Sequence, residues 1–270
     1  MTAGTLSLGV LASGRGSNLQ AILDEIAAGH LAAAAVAVVV SDVADAFALE
    51  RARSAGVPAF FVDPQGPGGK AAYEQRLAAV LREHGVGLVV LAGYMRVCGP
   101  VLLASFAGRI LNIHPSLLPA FPGLHVQRRA LEHGVRFSGC TVHFVDAGVD
   151  TGPIVAQAVV PVLDADTEET LAARILRQEH RLYPHAIRLF AQGRLRLAGR
   201  RVLLDATAPG AGADDEALVQ PPLSGNYSGS AKIIVIARSE AAKQSDVPAS
   251  GPSDCRAALA MTTVPVIRPE

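Results

Sequence analysis

The sequence predicts a doubly wound, mostly parallel α/β sheet with helices on both faces, and three observations predict it. Short apolar runs alternate with amphipathic stretches from Leu6 to Leu91, a glycine-rich turn follows the first run, and a polar pair, Asn112 and His114, closes a later one. Strands that alternate with helices pair in parallel, because each return to the sheet crosses one of its faces.

The elements follow in order. Leu6 to Ala12 reads as a buried strand, and Asn18 to Ala28 as a helix with Leu19, Ile22, Leu23 and Ile26 on one face. Strands at Ala35 to Val40, Ala59 to Val62 and Leu88 to Leu91 are separated by helices at Ala44 to Ala55 and Lys70 to Glu83. Arg109 to Ile113 is a further central strand, with the polar pair at its carboxyl end, where open α/β sheets bind ligands. A helix at Val126 to His133 precedes strands at Cys140 to Val145 and Ile154 to Val162, joined by the loop Asp146 to Pro153. Asp166, with Glu169 three residues on, is the expected N-cap of a long helix to Phe190, which Gly193 ends. Arg194 to Leu197 and Arg201 to Leu204 read as a closing hairpin.

The organisation expected is a catalytic domain over residues 1–205 and a low-complexity tail over 206–270. Beyond Asp205 the chain turns to Ala, Gly, Pro, Ser and Asp, as in Ala208-Pro209-Gly210-Ala211-Gly212. Lys232 to Ala237 is an isolated apolar run, and Ile236 to Ser245 resembles translated intergenic repeat sequence rather than a folded domain.

Composition narrows the partners. The chain has 270 residues, 50% hydrophobic and 18% charged, so one sizeable core is affordable. A net charge of zero gives no global field for nucleic acid or an anionic membrane, which favours small-molecule partners. Three cysteines without Cys-x-x-Cys spacing argue against a disulfide framework and fit a reducing cytoplasm. The apolar run at Leu6 to Ala12 lacks a basic leader and is cut by Ser13-Gly14-Arg15-Gly16, so neither export nor membrane insertion is expected.

Ser13-Gly14-Arg15-Gly16-Ser17-Asn18 lies between the first strand and the first helix, where backbone N–H groups and the helix dipole suit a phosphate. An ordinary turn with Ser17 or Asn18 as N-cap reads equally well. The spacing is neither a Walker loop nor Gly-x-Gly-x-x-Gly, which weakens dinucleotide binding. In an extended segment Asn112 and His114 face the same side. A fixed amide N–H can bond an oxygen gaining negative charge, and an imidazole can move a proton. Asp150 would be the third group if the fold returns it to His114. His125, His133 and His143 lack the spacing of a metal triad, so no metal is expected. Glu179 within the long helix, and Arg96 after a strand end, are by default a solvated face and a loop charge.

Taken together, five segments closely resemble the glycinamide ribonucleotide branch of the formyltransferase superfamily over about Leu6 to Leu204. They are Ser13 to Gln20, Leu91 to Arg96, Leu111 to Pro119, Phe121 to His125 and Val149 to Pro153. The resemblance implies a Rossmann-like formyltransferase fold. It also implies transfer of a formyl group from 10-formyltetrahydrofolate, as co-substrate, to the amine of glycinamide ribonucleotide in de novo purine biosynthesis. Carried over by residue, Asn112 stabilises the oxyanion, His114 transfers the proton, and Asp150 holds His114 in its useful orientation, with an ordered water in the relay. Gly16, Ser17 and Asn18 cradle the phosphate, and Glu179 contacts the ribonucleotide. Lys70, Met95, Arg96, Val97, Cys98, Asn112 and Asp146 form the folate site. Two positions depart from the family pattern: Ala147 replaces an acidic residue, and Lys70 stands near the place of a folate-contacting arginine, keeping the charge without its bidentate fork.

The rivals are a 10-formyltetrahydrofolate deformylase and a phosphate-binding module without catalysis. A tRNA formyltransferase is disfavoured because the tail lacks a basic RNA-binding surface. Monomer and homodimer both stay open.

Overall fold

Leu6–Leu11 forms the central strand β1, and its alternation sorts the helices between the two faces of the sheet. Leu8 and Val10 join one apolar cluster and Leu11 the other. The computed structural model describes residues 4–205 and 219–220. The order along the chain is Ser17–Ala27 (α1), Ala34–Ser41 (β2), Phe47–Ser54 (α2), Ala59–Phe61 (β3), Gly69–Glu83 (α3), Leu88–Leu91 (β4), Pro100–Ser105 (α4) and Ile110–His114 (β5). There follow Val126–Glu132 (α5), Phe137–Phe144 (β6), Ile154–Pro161 (β7), Glu168–Ala191 (α6), Leu195–Ala198 (β8), Arg201–Leu204 (β9) and Val219–Gln220 (β10).

The sheet runs β3-β2-β1-β4-β5-β6-β7-β9-β8, with β10 on β7. From β3 to β5 every pairing is parallel, whereas β6 and β7 are antiparallel to their predecessors. Leu19 and Ile22 of α1, Leu49 of α2, Ala130 of α5 and Leu171 and Ile175 of α6 pack on one face. Tyr73, Leu77 and Leu81 of α3 and Leu102 of α4 pack on the other. The doubly wound, mostly parallel sheet expected from the sequence is the one observed. Because β2 and β4 flank β1 on opposite sides, the loops after β1 and β4 part and leave a crevice at their carboxyl ends. Among the described residues, no helix is long and apolar enough to cross a membrane.

Local departures from the sequence reading have identifiable causes. α1 starts at Ser17, and its N-cap is Gly16 at φ 70°, not Ser17 or Asn18. α6 is capped by Thr167, not Asp166: Thr167 and Thr170 exchange a capping box. Asp166 instead takes a bidentate contact from Arg174 at 2.6 and 2.8 Å, which holds its carboxyl well below the usual range. α4 escapes periodicity because it has six residues. Pro100 opens it, and the buried Glu74 carboxylate accepts from the N–H groups of Gly99 and Leu102. Within the expected tail, Val219–Gln220 pairs antiparallel with Ala158 and Gln157, and the rest of that tail lies outside the described residues.

His185 in α6 is buried with neither ring nitrogen hydrogen-bonded, and burial, reinforced by Arg188 and Arg194, pushes its pKa down to about 4. The ordinary value of 6.5 belongs to the unfolded chain, which therefore takes up the proton first. The stability this neutral ring allows is complete above about pH 6.5 and is lost as pH falls toward about 4. His185→Leu is expected to flatten that acid slope and to add about 1–3 kcal/mol at neutral pH by removing two unsatisfied polar atoms. Thermal melts across this range check it; an unchanged slope contradicts it.

Candidate active site

At the carboxyl ends of β1, β4 and β5 lies a cleft of about 620 Å³. Its floor is made by the last residues of β5, where Asn112 and His114, two apart, present their side chains on one side of the strand. β5 reaches His114, one residue further than Arg109 to Ile113 suggests, so the pair belongs to the strand and not to a mobile loop.

β6 pairs antiparallel with β5 and sets His143 opposite Asn112. His143 is buried, and its Nδ1 lies 2.8 Å from the carbonyl of Phe144, which assigns the proton to Nδ1. Its Nε2 is left to accept from the Asn112 amide at 3.1 Å. Burial lowers the His143 pKa, opposed by the Phe144 carbonyl and Asp150, so the ring stays a neutral acceptor. One Asn112 N–H is thereby fixed, and the second is available to the cleft.

His114 is buried but for 6% of its surface. Its Nε2 donates to the Phe121 carbonyl at 3.0 Å, away from the cleft, and its Nδ1 lies 3.4 Å from Asp150 Oδ2. Asp150 returns to His114 through the β6–β7 loop, with φ +54°, a conformation Asp adopts more readily than most residues. The Gly123 N–H donates to the same Oδ2 at 2.8 Å, and Oδ1 stands 3.7 Å from His143 Nε2. The 3.4 Å spacing is long for a direct hydrogen bond, as is common before substrate binds.

At the other end of the cleft, α1 presents its N-terminus, whose first N–H groups have no helical partner. Gly16 is required there twice over: its φ is left-handed, and a Cβ would stand 2.8 Å from Ala48 Cα. Gly16→Ala is expected to cost about 2 kcal/mol or more of stability and to raise the KM of a phosphate-bearing substrate; an unshifted melt and KM would contradict it. Asn18 donates to Glu179 at 2.7 Å, and both are buried. Asn18 Oδ1 is left buried without a partner, on a residue that lines the cleft. Glu179 therefore is not on a solvated face; burial raises its pKa, partly offset by Asn18. Tyr183, one turn on, donates to the carbonyls of Leu91 and Leu111 and pins α6 across the strand ends.

Met95, Arg96, Val97 and Cys98 line one wall, with Met95 and Val97 more than half exposed, and Asp146 and Asp150 line the opposite loop. Cys98 is buried and its thiol is pushed up to about 12, so it is an apolar wall atom and not a nucleophile. Asp146 Oδ1 accepts from Gly148 N and Thr151 Oγ1, which folds the loop on itself. Lys70 is set apart: it lines an adjoining cavity of about 500 Å³ that shares Met95 to Cys98 with the cleft. From the sequence, His143 is weighed only as a metal ligand, although its place in the strand leading into the Asp150 loop is a signal for the site, and Asp42 is passed over, although its signal is its place at the end of β2.

A doubly wound sheet with a carboxamide, an imidazole and a carboxylate at its switch point has the hydrogen-bond donor and proton acceptor that acyl-group transfer requires. The formyl transferase family profile matches residues 7–187. The chain belongs to the formyl transferase family. It is 44% identical over 200 residues to phosphoribosylglycinamide formyltransferase of Escherichia coli, spanning 74% of this chain and 94% of that one. It is 47% identical over 188 residues to the trifunctional purine biosynthetic protein adenosine-3 of Drosophila pseudoobscura pseudoobscura. That match takes in 69% of this chain but only 14% of the relative's length. Among solved structures, glycinamide ribonucleotide transformylase 1 of Symbiobacterium toebii superposes with a TM-score of 0.73 at 60% identity, over 74% of this chain and 94% of that one. A formyltetrahydrofolate deformylase from Pseudomonas syringae superposes at 0.69 with 26% identity, over 75% of this chain and 66% of that one.

Proposed function

We propose that the chain transfers the formyl group of 10-formyltetrahydrofolate to the amine of glycinamide ribonucleotide in de novo purine biosynthesis, with residues 1–205 as the catalytic domain. The observation that carries this reading is the meeting of Asn112, His114 and Asp150 in a cleft whose far end is a helix N-terminus. The cleft fits both ligands: a half-exposed apolar wall at Met95 and Val97 for a pterin ring, and free backbone N–H groups for a phosphate. The co-substrate supplies the formyl carbon as an amide-like electrophile.

Attack by an amine places negative charge on the formyl oxygen and positive charge on nitrogen together, so the site needs a donor and a proton acceptor. Asn112, steered by His143, donates its second N–H to that oxygen. His114, with Nε2–H held by Phe121, takes the amine proton on Nδ1 while Asp150, 3.4 Å away, faces the imidazolium so formed. As the oxyanion collapses, the bond from the formyl carbon to the folate nitrogen breaks and His114 returns the proton to that nitrogen, releasing tetrahydrofolate and the formylated amide. Gly16, Ser17 and Asn18 at the α1 N-terminus hold the phosphate, while Glu179, bonded to Asn18, contacts the rest of the ribonucleotide. Met95, Arg96, Val97, Cys98 and Asp146 enclose the folate, and Lys70 provides a cation where its tail leaves the cleft. The cytoplasm is the assigned compartment, supported by the free thiols of Cys98 and Cys140.

Hydrolysis of the same folate would use the trio without the phosphate end. A spectroscopic assay of folate product with and without glycinamide ribonucleotide separates the two. Product only with the ribonucleotide supports transfer; product in its absence means a deformylase, and none in either leaves a binding module or a damaged enzyme.

A further inference from the structure

Three adjacent strand ends meet at one carboxylate that the chemistry above does not use. Ser13, two residues beyond β1, donates its hydroxyl to Asp42 Oδ1 at 2.6 Å, and the Ser13 Oγ accepts the Met95 N–H at 2.9 Å. Asp42, just beyond β2, turns its other oxygen toward Arg96 Nε at 3.6 Å, with only 9% of its side chain exposed. Arg96 in turn lies 5.6 Å over the Tyr73 ring, whose hydroxyl pairs with that of Tyr94 at 2.6 Å. Ser13 opens the phosphate-facing turn, and Met95 and Arg96 belong to the folate-facing wall.

We propose that Asp42 is a positioning residue that couples the two halves of the cleft, so that a ribonucleotide seated on the phosphate turn orders the Tyr94–Cys98 wall for the folate. The inference rests on the substrate assignment above. Its physical basis is that one hydroxyl serves both loops. Fixing Ser13 for the phosphate fixes the acceptor of the Met95 N–H, and fixing Asp42 fixes Arg96. The second ligand then meets a wall whose ordering cost has already been met by the first, which gives positive cooperativity without a change of fold. Screening by solvent is limited because the carboxylate is nearly enclosed.

The test measures the Kd of glycinamide ribonucleotide by calorimetry, alone and with saturating tetrahydrofolate, which carries no formyl group and leaves the ternary complex unreactive. The wild-type chain is expected to bind the ribonucleotide about fivefold or more tightly with the folate present, a typical coupling between sites. Asp42→Ala is expected to abolish that factor. Asp42→Asn, which keeps an acceptor for Ser13 but loses the charge facing Arg96, is expected to retain part of it. A second measurement needs no ligand: amide exchange at Met95 is expected to quicken about tenfold or more in Asp42→Ala and Ser13→Ala, while β6 and β7 exchange as in the wild type. Equal ribonucleotide affinity with and without folate in the wild type, an undiminished factor in Asp42→Ala, or unchanged exchange at Met95 would overturn the proposal. If the wild type binds neither ligand, the substrate assignment fails and the exchange measurement still decides whether Asp42 joins the loops.

Discussion

Asn112→Ala is expected to lower kcat at least about a hundredfold while the protein stays folded. Loss of one oxyanion donor typically costs roughly 3 to 4 kcal/mol of transition-state stabilisation, because the donor acts where charge develops in a partly dry site. The fold survives because Asn112 is only half-buried and the packing of β5 rests on Leu111, Ile110 and Ile113. Steady-state kinetics on protein whose circular dichroism matches the wild type checks both halves. Near-normal turnover would remove Asn112 from the chemistry.

The second large effect concerns the proton. His114→Ala is expected to cost at least about a hundredfold in kcat, within the usual range for a positioned acid–base group. Asp150→Asn should lose most of the same factor. An amide side chain still accepts from Gly123 N–H, so the loop keeps its shape, but it no longer offers a charge to the imidazole that has gained a proton. The comparison separates the two roles of Asp150. A variant with normal folding and nearly normal kcat would mean that the carboxylate only shapes the loop, and that His114 works without it.

Most of the sheet was legible because its strands bury both faces and read as unbroken apolar runs, and because 3.6-residue periodicity marks α1, α3 and α6. The Asn112–His114 pair was legible for the same kind of reason: two residues apart at a strand end is already a statement about geometry. Asp150 was legible only as a candidate, since what brings it to His114 is the antiparallel turn-back of β6 and β7. That return is a long-range pairing, and no local signal encodes it. The part His143 plays beside Asn112 was missed for the related reason that the two are 31 residues apart and are brought together by strand register. Glu179 was hidden by its type, because a glutamate in a helix is ordinarily solvated, and only the docking of α6 on α1 buries it against Asn18. The caps failed locally. Asp166 has the better N-cap chemistry, but its carboxylate is taken by Arg174, two helical turns on, leaving Thr167 to cap.

The most direct measurement of the central claim is kcat for formyl transfer in the double variant Asn112→Ala, His114→Ala beside each single variant. Residues that act as one unit on one transition state lose their effects together, so the double variant is predicted to fall within about threefold of the slower single variant. Losses that multiply instead would show two independent contributions, and would contradict a single catalytic unit at the end of β5.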